Sequence, residues 1–190
     1  MVRPTPYTSS VAVPLPSEDE VRRALGPDYD PDATLQVVKM FAGTGDFLPA
    51  LIGMVRAVFG ADDIDAQHRE VIILRSAAVL NVPYEWQANE QMARNAGLTP
   101  DQIERLAADG PVEGLAPDFL VLTNATDEML STATLADESL RALLDAFGAT
   151  TTRRYIATIA WFSLLSLFLN ATRVPLETTD KIGGRTSPLS

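Results

Sequence analysis

The chain has 190 residues, a formal net charge of −10, 46% hydrophobic and 21% charged residues, and no cysteine. That length suits one domain with a proper core, and the missing cysteines exclude disulfides, thiolate metal sites and thiol peroxidase chemistry. The acidic balance argues against a nucleic-acid partner, which needs clustered Lys and Arg.

Residues 1–16 are rich in Pro, Ser and Thr and hold no continuous apolar run. They predict an extended arm, over the chain's own surface or a neighbouring subunit, rather than a secretory signal, and a cytoplasmic protein is expected. Ser17 with Glu20 forms a capping-box pattern for a short helix over 18–25, which Gly26-Pro27 stops. An acidic loop, 28–32, leads into residues 33–42, where Leu35, Val38 and Phe41 give an apolar helical face. Gly43-Thr44-Gly45 breaks it, and Asp46 is expected to cap a helix over 47–59. Asp62-Asp63 introduces the segment that matters most.

Residues 65–80 have a helical pattern with an ionisable residue set into the apolar stripe. Glu70 falls on one face with Ile73, Leu74 and Ala77, and a carboxylate facing a core is costly unless paired, hydrogen-bonded or protonated. After the break Asn81-Val82-Pro83 a second helix opens on Tyr84-Glu85-Trp86, with Pro83 suited to its first turn. Glu85 and Asn89 are four apart and share a face. Two helices joined so closely bring Glu70, Tyr84, Glu85 and Asn89 together as a candidate site.

Glu70 is the candidate base or proton relay, with burial raising its pKa, and Glu85 a second acid/base group that the helix N-terminus tends to keep ionised. Tyr84 and Asn89 are candidates to orient a substrate oxygen, and Trp86 is core or pocket wall. A carboxylate substrate would also want a cation, for which Arg75 and Arg94 are nearest in sequence. His68 lies about 200° around the helix from Glu70, so it is expected to be exposed or to face a subunit boundary. One His and no Cys argue against a metal site, and no P-loop, dinucleotide fingerprint or nucleophile elbow calls for a cofactor.

Thr99-Pro100-Asp101-Gln102 reads as cap, first-turn Pro and capping-box Gln, for a helix ending near 108. Further helices are expected over 117–130, over 137–147 (capped by Asp137 and ended by Gly148), and from Thr151 or Thr152 to about 171. The last is mostly apolar but too short and too interrupted to span a membrane. Its Ser163, Ser166 and Asn170 form one polar line, read as helix packing with back-bonding hydroxyls or as a face toward the pocket or a subunit interface. The chain is all-α: an arm at 1–16, one helical domain at 17–176 and a flexible tail at 177–190.

Arg69-Glu70, the LRSAA stretch from Leu74, Tyr84-Glu85-Trp86 and the ARNAGL run from Ala93 resemble the alkylhydroperoxidase-D-like/carboxymuconolactone decarboxylase superfamily, over roughly 35–131 and more loosely to about 177 through FLNATRVPLE. The resemblance implies a helical bundle assembled as trimers or hexamers, with a small pocket near the site helices and a subunit boundary. Peroxidase relatives carry a CxxC pair at the second helix and a His one turn later. Here Val82 and Glu85 occupy the cysteine positions and Asn89 the His position, while Glu70 falls on the family's Glu. The chemistry left is cofactor-free acid/base work on a small oxygenated compound: decarboxylation, isomerisation, lactone opening or hydration. The alternative is a non-catalytic ligand-binding or assembly protein on the same scaffold.

Overall fold

A computed structural model describes residues 3–27, 29–60 and 64–188. They form eight α-helices and no strand: α1 (Glu18–Leu25), α2 (Gln36–Ala42), α3 (Leu48–Phe59), α4 (Ala66–Val79), α5 (Pro83–Asn95), α6 (Pro100–Leu106), α7 (Pro117–Thr132) and α8 (Asp137–Thr172). The Asp62-Asp63 pair lies outside these residues, and Asp65 is the cap of α4, its carboxylate accepting from the backbone of Gln67 and His68.

The helix starts follow local chemistry. Both expected capping boxes form, at Ser17/Glu20 and Thr99/Gln102. Helix α2 begins three residues later than expected because Asp30 captures the backbone first: its side chain accepts from Asp32 and Ala33, and its carbonyl from Thr34. Asp46 is not a cap. It sits inside a 3₁₀ turn, Gly45–Phe47, and α3 starts after it with Pro49 in the first turn. Nor does Asp137 cap α8, whose N-cap is Ala136, with a backbone N–H donated to Glu128 of α7.

Helix α4 is the axis of the fold, packed against α5, α7 and α8. All nine residues from Arg69 to Ala77 are buried, so the helix has no solvent face over that stretch. An amphipathic reading of α4 therefore fails, and polar residues on every side of it need internal partners. Helix α8 is two helices joined at Gly148, whose φ of 72° and ψ of 169° suit glycine alone. The Thr152 hydroxyl donates to the Leu143 carbonyl across this break. Tyr155, Ile159, Phe162, Leu165 and Leu169 spend the apolar run of α8 on the core.

Both ends of the chain lie on this body. The N-terminal arm runs extended across it: Arg3 pairs with Glu90 and Glu104, Thr5 bonds Asn81, and Tyr7 donates to Asn170 and the Leu169 carbonyl. The C-terminal segment, expected as a flexible tail, also makes contacts with this body. Ile182 is buried in the core, Asn95 donates to the carbonyls of Gly183 and Arg185, and Arg69 donates to that of Thr186. A polar composition hid these contacts, most of which go through tail backbone carbonyls.

Candidate functional site

Helices α2, α3, α5 and α8 enclose a narrow cavity of about 40 Å³, closed at one point by Pro188 of the tail. Its wall is apolar, formed largely by Leu35, Phe41, Phe59, Met92, Phe162 and Leu165. The exceptions are Tyr84, Glu85 and Asn89 of α5, with the indole of Trp161 from α8. A void of this size takes two or three waters.

Glu85 is the acidic group of the cavity and is 1% exposed. Its Oε2 accepts from Ser166 Oγ at 2.6 Å, and its Oε1 has no hydrogen-bond partner within the protein. Burial pushes its pKa up to about 8, opposed by the Ser166 bond and assisted by the charge of Glu70. The sequence argument that the α5 N-terminus keeps Glu85 ionised is thus overturned. A macrodipole contributes on the order of 1 kcal/mol, less than full desolvation of a carboxylate costs.

Glu70 lies behind the cavity wall on α4, wholly buried. Its Oε1 accepts from Arg69 Nε at 3.1 Å, while Oε2 has no partner in the protein. Burial lifts its pKa to about 7, with the Arg69 charge and hydrogen bond pulling the other way. Arg69 is itself shared with the Thr186 carbonyl and lies over the Phe59 ring at 4.5 Å. Burial thus lifts both carboxyls above the usual glutamate range, the kind of perturbation that groups which exchange protons show.

Tyr84 reaches the cavity, but its hydroxyl is committed, donating to Glu177 Oε1 at 2.6 Å and accepting from the Val37 backbone at 3.1 Å. Burial and the Glu177 charge hold its phenol well above the usual range. Asn89 donates from Nδ2 to the Glu85 carbonyl at 2.8 Å, leaving Oδ1 without a partner in the protein.

Three expectations place residues elsewhere. Arg75 is not a substrate cation: it is 2% exposed and spent on Asp127 and on the carbonyls of Leu106, Ala108 and Gly110. Trp86 takes the core place of its two expected ones: it is buried, does not line the cavity and sits under the Arg3 guanidinium at 5.6 Å. His68 is neither exposed nor at a bare surface, because its ring contacts the Tyr155 hydroxyl at 2.6 Å and Asp118 at 2.9 Å, edge-on to Phe119 and Phe147. The cause is shared by Arg75 and His68: α4 is covered on the side opposite Glu70 too. Arg94 pairs with Glu90 on the surface.

Ser166 and Trp161 were not among the candidate site residues. The Ser163–Ser166–Asn170 line was the available signal for Ser166, which does not line the cavity but donates across to Glu85 of α5. Trp161 had none, being one large residue in an apolar run.

The helices and site describe an all-α protein with two buried carboxyls beside an apolar cavity. Residues 45–136 match the model of the carboxymuconolactone decarboxylase family. That stretch, similar to the family over just under half of the chain, carries α3 to α7 and the site residues from Glu70 to Asn89. No curated protein matches the chain.

Proposed function

We propose that this protein is a cofactor-free acid/base enzyme acting on a small organic compound in the α2–α3–α5–α8 cavity, with Glu85 as the group that exchanges protons with it. The carrying observation is Glu85 itself: one oxygen fixed by Ser166, the other unpartnered in an apolar cavity, and a pKa raised to about 8. A base poised near the working pH is the most effective proton-transfer catalyst. Glu70 supplies the second carboxyl, whose charge raises the basicity of Glu85 from behind the wall. Isomerisation, hydration, lactone opening and decarboxylation are the reactions such a pair serves.

Exposed Leu164 and Leu167, 51% and 63% accessible on the outer face of α8, support assembly of several copies. The cytoplasm is the compartment this reading assigns.

The test needs no prior substrate. Small ketones and lactones incubated with the protein in D₂O, and followed by proton NMR, should lose α-proton signal faster than in buffer. Glu85→Gln, which keeps the volume and loses the proton shuttle, should slow that exchange roughly 10²–10⁴-fold. A second reading, ligand binding without turnover, is favoured by the small, apolar cavity. Binding with no exchange in any compound would establish it instead.

A further inference from the structure

Three residues that line the cavity each carry a buried polar atom with no hydrogen-bond partner within the protein: Trp161 Nε1, Asn89 Oδ1 and Glu85 Oε1. Their residues are 5%, 6% and 1% exposed, so bulk solvent does not satisfy them. A buried polar group left unmet is destabilising, and three around one small apolar space point to a ligand that meets them. The indole N–H only donates and Asn89 Oδ1 only accepts. Glu85 Oε1 does either, according to its proton.

Charge is the second observation. Among the described residues no Lys, Arg or His lines this cavity. The guanidinium of Arg69 lies over the Phe59 ring and is bonded to Glu70 and the Thr186 carbonyl. Lys181 is taken by Glu177 and the Thr34 carbonyl, and Arg75 by Asp127. An anion here would be buried without a counter-charge and beside a carboxyl group, a cost of several kcal/mol.

We propose that the cavity takes an uncharged, mainly apolar molecule bearing one carbonyl or hydroxyl oxygen, which accepts from Trp161 Nε1 and, as a hydroxyl, donates to Asn89 Oδ1. This rests on the acid/base reading above and narrows it. A decarboxylase substrate brings a carboxylate, so decarboxylation drops out. For a carbonyl ligand the step is a proton shift: Glu85 Oε1 takes a proton from the carbon next to the carbonyl. The C–H electron pair becomes a C=C bond, the carbonyl electrons move to the oxygen held by Trp161, and return of the proton restores neutrality. Nothing besides the ligand and the protein is consumed.

Cyclopentanone, cyclopentanol and cyclopentanecarboxylate share a ring and differ in the group presented. Their binding to the intact protein at neutral pH, followed by calorimetry, should place both uncharged probes at least tenfold tighter than the carboxylate. Trp161→Phe should weaken the ketone roughly 3–10-fold, the range of one neutral hydrogen bond. Asn89→Leu should weaken the alcohol by a similar factor and spare the ketone, which has no hydroxyl proton to give. That alcohol-to-ketone ratio is unaffected by any general loss of folded protein. The proposal is overturned if the carboxylate binds as tightly as the ketone, if neither uncharged probe binds, or if the ratio does not change. Ketone binding without α-proton exchange would defeat the acid/base reading and leave the ligand class standing. Exchange that favours charged compounds would defeat the ligand class alone.

Discussion

Ser166 Oγ donates to Glu85 Oε2 at 2.6 Å, joining the middle of α8 to the first turn of α5 through an otherwise apolar interface. The bond leaves one carboxyl oxygen fixed and one available, and it restrains the upward pull of burial on Glu85. Ser166→Ala should therefore raise the Glu85 pKa further above 8, measured by carbon NMR titration of labelled glutamate. Stability should fall by about 1–3 kcal/mol, because a buried carboxyl oxygen loses its donor. An unchanged titration would show that the bond does not tune Glu85.

The two carboxyls make stability depend on pH with a definite sign. Both titrate above the ordinary glutamate value of 4.5, Glu70 near 7 and Glu85 near 8, so the folded state keeps protons that the unfolded chain releases. Their contribution is fully present below about pH 4.5 and declines as pH rises through 7 and then 8. Replacing Glu85 by Gln removes its share of that decline. Urea unfolding at pH 5 and pH 8.5 should show the variant gaining on the wild type by a few kcal/mol between the two. Glu70→Gln should gain less, since the Glu70 shift is smaller. It should also be tolerated at pH 6, where wild-type Glu70 is already mostly neutral beside Arg69. A large loss of stability at pH 6 would instead make Glu70 the ionised half of a structural pair.

Arg75 gives the opposite expectation. Its guanidinium meets Asp127 at 2.5 and 2.7 Å and three carbonyls from the 106–110 loop, tying α4 to α7 and to the end of α6. Arg75→Leu strands Asp127 and those carbonyls, and should cost about 3–5 kcal/mol. The folded fraction should still bind cavity ligands normally. A variant that stays stable but loses ligand affinity would return Arg75 to the substrate.

These contrasts show which features were legible beforehand. Caps and breakers lay in adjacent residues, so α1, α4, α5 and α6 could be placed to within a residue or two. The pairing of Glu70 with Glu85 followed from two helices joined by a three-residue break. What failed depended on which faces the rest of the chain covers. A heptad view gives α4 one buried side, but α7 and α8 cover the other, and that put His68 and Arg75 inside. The partners of Glu85 and the indole of Trp161 come from α8, some 80 residues away, where no local spacing announces them. The tail's contacts were hidden for a related reason: most of them go through backbone carbonyls, which every sequence supplies.

The exposed pair on α8 tests assembly. Leu164 and Leu167 are three apart on one face, both mostly accessible. In an oligomer this face is covered. Leu167→Asp should shift light scattering of the wild-type assembly toward the 20.5 kDa monomer, with helicity unchanged. A wild-type protein that already runs as a stable monomer at micromolar concentration would remove the assembly reading.

The last expectation concerns access to the cavity. Glu177 is where the tail is anchored: Oε1 accepts from Tyr84 and the Gln36 backbone, both at 2.6 Å, and Oε2 faces Lys181 at 3.3 Å. Eleven residues on, Pro188 stands against the cavity that Tyr84 also lines. One carboxylate thus fixes both the start of the tail and a phenol of the wall. Glu177→Ala leaves the Tyr84 hydroxyl and the Gln36 N–H without that acceptor and Lys181 without its anion. The tail should loosen before the helical body does, because beyond the Gln87 bonds to the backbone of residue 177 its ties include only scattered contacts: Lys181 to the Thr34 carbonyl, the bonds from Arg69 and Asn95, and the burial of Ile182. Hydrogen exchange should rise across 178–188 with little change in α4 and α7. If Pro188 guards the cavity, ligand association and dissociation rates should rise together in the variant, with a smaller change in affinity. A loosened tail with unaltered ligand kinetics would show that ligands reach Glu85 by another route.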